Sequence, residues 1–132
     1  MRFYTVSIAS LAIDAPVKWT DNVLSHHDIA EVVAEKRGVA RRIPHRALLR
    51  LALIRQLQQE VGLGAREAVT ISAALLGAGA REVRVGTCVS LRLDVSSLEQ
   101  LVAVRLQAAL ESAPAPRRGR PRGRATPPGD AM

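Results

Sequence analysis

Leu49, Leu53 and Leu57 recur at every fourth residue, and Val61 follows one turn on. Leu48, Leu51, Ala52 and Ile54 widen that stripe. The spacing predicts a helix over 46–61 whose apolar face is too broad to be covered from one side. Such a helix needs neighbours around it, so the rest of the chain has to be arranged as its wrapping. Arg46, Arg50 and Arg55 are left for a polar face. Gly62 ends the helix in the left-handed conformation, where a residue without Cβ costs least, and Leu63 can pack back on the last turn. Gly64-Ala65 opens a further helix to about Leu76, with Ala68, Val69, Ile71, Leu75 and Leu76 inward, and Gly77-Ala78-Gly79 closes it.

Upstream of this frame, Phe3 to Val6 is β-branched and aromatic, a short strand or a lead-in. Ile8, Leu11 and Ala12 stand at i, i+3 and i+4, which predicts a short helix over 7–13. Asp14-Ala15-Pro16 is a break; Asp favours helix starts, and Pro suits a first turn because its missing N–H needs no partner there. A second short helix follows over 16–26, with Val17, Trp19, Val23 and Leu24 on one side and Lys18, Asp21, Asn22 and Ser25 largely elsewhere. Two short helices across a tight break are what a helix-turn-helix unit requires. Residues 28–38 read as either helix or strand, and Val39 to Ile43, carrying Arg41 and Arg42, as a wing strand.

Downstream the period changes. Val83 and Val85, then Val89, Leu91, Leu93 and Val95, alternate with polar residues around Gly86-Thr87, a hairpin pattern. A lone hairpin is marginal in water, so it has to pack on something or pair with a second copy. Ser96 and Glu99 form a capping-box pair, opening a helix to about Glu111 with Leu98, Leu101, Val102, Val104, Leu106 and Leu110 spread well round it. From Pro114 the chain is rich in Pro, Gly and Arg and can form no core, which predicts disorder. The expected organisation is a DNA-binding unit over 1–76, a dimerising hairpin and helix over 77–112, and a disordered basic tail over 113–132. The expected fold class is mainly α with a small β-hairpin.

In 132 residues, 48% of them hydrophobic, there is room for one small core. The formal charge of +7 points to a polyanion. Arg117, Arg118, Arg120, Arg122 and Arg124 against Asp130 put +4 of that in the tail and leave +3 to residues 1–112. A single cysteine, Cys88, rules out an internal disulfide and any cysteine-cluster metal site, which fits a reducing cytoplasm. Its apolar neighbours suggest a small buried hydrophobe. No run approaches the roughly 20 apolar residues of a spanning helix, so no membrane is expected.

Leu51-Ala52-Leu53-Ile54-Arg55-Gln56-Leu57, the break Gly62-Leu63-Gly64, and Gly38 with Arg41 and Arg42 resemble the MerR-like or excisionase-like winged helix-turn-helix family over residues 4–76. Val17-Lys18-Trp19 stands where many members carry Arg-Tyr-Tyr, and the wing is one residue off the usual spacing. The resemblance implies a winged helix-turn-helix with the helix over 16–26 in the major groove. Lys18, Thr20, Asp21 and Asn22 would then face bases; Asn can read adenine, and Lys and Thr can contact guanine or phosphate. Arg37, Arg41 and Arg42 would lie on phosphates beside the wing. The bland alternative is that these residues are the solvated side of two helices.

In the tail, Arg118-Gly119-Arg120-Pro121-Arg122 resembles an AT-hook core, which sets arginines in the negative potential of a narrow minor groove. A generic basic tail adding non-specific phosphate affinity is the other reading. Little points to an enzyme or to a cofactor. His26, His27 and His45 form no metal-ligand pattern, no glycine loop cradles phosphate, and Trp19 suits the core better than a base-stacking platform. The reading is therefore a sequence-specific regulator that binds double-stranded DNA as a homodimer in the cytoplasm. Its rivals are an antitoxin-like protein–protein adaptor and a nucleoid-type binder driven by the tail.

Overall fold

Helix α3 (His45–Gln56) runs through the middle of the protein, and the other elements wrap it. A computed structural model describes residues 2–27, 29, 32, 41–77 and 81–112. Before α3 come strand β1 (Phe3–Tyr4), helices α1 (Val6–Ala12) and α2 (Val17–His26) and strand β2 (Ile43–Pro44). After it come α4 (Ala65–Gly77), strands β3 (Glu82–Arg84) and β4 (Ser90–Arg92) and α5 (Val95–Ser112). The protein is mainly helical, with two small antiparallel strand pairs. In one, Phe3 faces Pro44 and Tyr4 faces Ile43. In the other, Glu82 faces Arg92 and Arg84 faces Ser90.

Every residue of α3 from Ala47 to Ile54 is buried, as the broad leucine stripe requires. The polar face assigned to its arginines is only partly present. Arg50 is 9% exposed; it donates from Nε to Ser72 Oγ at 3.2 Å and from Nη2 to the Val69 carbonyl at 3.1 Å. Arg55 is half-buried, with its guanidinium over the Trp19 ring. Arg46 alone of the three is exposed. The helix continues through Leu57–Val61 as a π-helical turn and stops at Gly62, at φ +85°. Any Cβ there would be strained. The Leu63 N–H returns to the Leu57 carbonyl at 3.1 Å, and Leu63 packs on the core.

Asp14 does not start α2. It lies at φ 57° and closes α1, its N–H on the Leu11 carbonyl, while the Ala15 N–H reaches Ser10. Thr5 caps the front of α1 by accepting from the Ile8 N–H. At α5 the capping residue is Asp94 rather than Ser96: its carboxylate accepts from the Ser97 N–H at 3.1 Å and from the Ser97 hydroxyl at 2.8 Å. These bonds hold the Asp94 carboxyl below the usual carboxylate range.

Helix α5 packs against α1 and α3. Leu98, Val102 and Leu106 enter the same core as Leu51, Ile54 and Ala9. The inner face of α5 is thus packed on the N-terminal helices. The other side of α5 leaves Val104 63% exposed and Leu110 38% exposed. Cys88 lies exposed in the loop between β3 and β4 and is not a core residue. Among the described residues no helix is long and apolar enough to cross a membrane. The expectations for residues 33–40 and for the tail 113–132 lie outside the described residues.

Candidate functional site

Helix α2 has one face anchored and one face open. Pro16, at φ −66° and ψ 149°, turns the chain into the helix, as its fixed ring favours. Val23 is buried, and Trp19 and Leu24 pack on the core. Trp19 donates from Nε1 to Gln58 Oε1 at 3.0 Å and has the Arg55 guanidinium 5.1 Å from its ring centroid. The indole is thus fastened to the end of α3 and its π-helical extension.

Thr20 belongs to the anchored side. It is 0% exposed and accepts a 2.7 Å hydrogen bond from the Ser10 hydroxyl, itself buried in α1. The expectation that Thr20 contacts DNA is therefore corrected. Two positions along a helix is a rotation of about 200°, so Thr20 points away from both Lys18 and Asn22. A hydroxyl here serves α1–α2 packing, where each otherwise unpaired polar group would be costly to bury.

On the open side, Lys18, Asp21, Asn22 and Ser25 follow i, i+3, i+4, i+7 spacing and share one face. Lys18, Asn22 and Ser25 are exposed and Asp21 is half-exposed. Arg41, just before β2, reaches across to this face. Its Nη1 lies 3.4 Å from Asp21 Oδ1, and its Nη2 donates to Ser25 Oγ at 3.3 Å. A pair this exposed contributes about 0–1 kcal/mol of stability. Its effect is positional: it fixes a guanidinium beside α2 and neutralises the carboxylate there.

Arg42 is exposed and sits over the Phe3 ring at 5.2 Å, and Arg2 over the Tyr4 ring at 5.8 Å. The β1–β2 pairing holds both aromatics, so two further cations are positioned by the strand pair. Of the expected site residues, Lys18 and Asn22 share the open face, Arg41 is bound to it and Arg42 lies on the adjoining strand lead. Arg37, Arg118, Arg120 and Arg122 lie outside the described residues. Ser25 and Arg2 also lie on this surface. The place of Arg2 beside Phe3-Tyr4 is the sequence signal for it, as the polar spacing from Lys18 is for Ser25.

His26, at the last turn of α2, has Nδ1 2.9 Å from the Asn22 carbonyl, and both His26 and His27 remain at the surface. A cationic or donor group suits a helix C-terminus. Among the described residues, no three His, Cys, Asp or Glu side chains gather where they could hold a metal ion. Comparison of the chain with protein-family models, with curated proteins and with solved structures yields no match.

Proposed function

We propose that this chain is a sequence-specific DNA-binding regulator of MerR-like or excisionase-like winged helix-turn-helix type. In this reading α1 and α2 are the helix-turn-helix pair, and α2 enters the major groove. Lys18 and Asn22 meet base edges or phosphates, while Arg41, Arg42 and Arg37 grip the backbone beside it. The observation that carries the reading is the open face of α2, where Arg41 is cross-linked to Asp21 and Ser25. That link removes the repulsion an exposed carboxylate would have for phosphate and leaves Lys18 and Asn22 facing outward. Two copies acting together would supply the two half-sites that such helices address. The tail arginines Arg118, Arg120 and Arg122 would add minor-groove or general phosphate contacts.

The test is a titration of the full chain, and of a chain ending at Ser112, onto duplexes of varied sequence at several salt concentrations. The regulator keeps its sequence preference without the tail. Loss of most affinity with the tail, with no preference in either form, would favour the nucleoid-type binder. Failure of both forms to bind at low salt would favour the protein–protein adaptor. Within the regulator reading, Arg41→Ala with Arg42→Ala weakens binding to all duplexes alike. It also lowers the salt slope by about 0.9 for each phosphate that is no longer neutralised.

A further inference from the structure

A cleft of about 380 Å³ opens where the start of α3, the end of α4 and the start of α5 meet. None of its lining residues belongs to the α2 face. Leu49, Ala73, Leu76 and Val95 give it apolar walls, and Arg46, Arg50, Arg81 and His45 bring cationic or donor groups to it. Among the described residues, Glu99 is the one carboxylate on its lining. The volume falls within the range that holds a small ligand, and the mixture of apolar wall and few convergent polar groups is what such sites use.

Two of these arginines are held in place. Arg50 is bonded to Ser72 Oγ and the Val69 carbonyl. Arg81 donates from Nη1 to the Leu75 carbonyl at 2.9 Å, in the last turns of α4. Side chains fixed before a ligand arrives lose less freedom when it binds. Among the described residues the lining carries three arginines and one carboxylate, and cationic groups over low-dielectric walls favour an anion. An inorganic anion would leave the Leu49, Leu76 and Val95 surface uncovered, and a neutral apolar molecule would leave the positive field unused.

We propose that this cleft binds a small organic anion with an apolar body of about one ring and a single carboxylate. The carboxylate faces the arginines and the ring lies on Leu49, Leu76 and Val95. The site is independent of the α2 reading, so binding here and binding to DNA succeed or fail separately.

The test titrates the full chain, followed by the backbone amide signals, with benzoate, with benzamide as its uncharged counterpart, and with inorganic phosphate as the charge alone. Benzoate is expected to shift the amides of Leu49, Ala73, Leu76 and Val95 saturably, while benzamide and phosphate leave them in place. Arg46→Gln, an exposed change, should weaken benzoate on the order of tenfold. Ala73→Phe fills the cleft without touching a charge and should abolish the shifts, with thermal unfolding confirming that the variant is folded. The proposal is overturned if benzoate gives no saturable shift, if benzamide or phosphate matches it, if the shifts fall outside the cleft, or if folded Arg46→Gln and Ala73→Phe both bind benzoate as the parent does.

Discussion

Helices α2 and α3 are both rich in apolar residues and both carry basic side chains, yet they do opposite work. In α3 the residues from Ala47 to Ile54 are all buried, Arg50 included. In α2 only Thr20 and Val23 are buried, and a whole face with Lys18, Asn22 and Ser25 stays open. A helix enclosed along most of its length chiefly positions its neighbours. A helix fastened along one edge can offer the other. The contrast separates where stability is concentrated from where recognition can occur.

The sharpest way to break this contrast is Leu51→Ala. Leu51 is fully buried in α3, so the change should cost about 2–5 kcal/mol in urea unfolding. A cost below about 1 kcal/mol would mean that α3 is not the hub. Next comes Thr20→Val, which leaves the buried Ser10 hydroxyl without its partner and should cost about 1–3 kcal/mol. Adding Ser10→Ala should return part of that loss, as a double-mutant cycle would reveal.

A smaller effect is expected at α5, which packs on α3's side of the contrast. The Ser97 hydroxyl and N–H hold the Asp94 carboxyl below its ordinary range, so the folded chain takes up this proton less readily than the unfolded one. That contribution is complete at neutral pH and is lost as pH falls below about 4 and through the lowered value. Asp94→Ala should therefore be less stable than the parent near pH 7, with the gap narrowing in acid; a gap of constant size would remove the cap from the account. Smallest for stability is Asn22→Ala, within about 0.5 kcal/mol. Its effect should appear instead in which duplexes are preferred, and an unchanged preference would move base reading off this face.

Much of this arrangement was legible in the residues. The leucine stripe located α3, Gly62 its end, and the alternation around Gly86-Thr87 the β3–β4 pair. Periodicity reports which side of a helix is apolar, and it fails where polar groups satisfy each other inside. The family resemblance puts Thr20 among the groove-facing residues; the Ser10 hydroxyl, ten residues away, holds it in the interior instead. The apolar stripe leaves Arg50 to a polar face, yet its acceptors are supplied by Ser72 and Val69 on a different helix. The return of α5 onto α1 depends on surface from distant parts of the chain, which no local pattern encodes. Asp94 caps α5 although Ser96 and Glu99, two and five residues further on, have capping-box spacing.

The Ser10–Thr20 bond has a consequence of its own. A short helix resting on smooth apolar contacts can settle at more than one angle about its axis, and a slip of one residue turns it by about 100°. Such a slip would carry Lys18 and Asn22 away from the front of the helix. A directional bond between two hydroxyls works as a detent against that rotation, selecting one angular setting of α2. Removing both hydroxyls, as Ser10→Ala with Thr20→Val does, takes the detent away and blurs which side chains the protein presents.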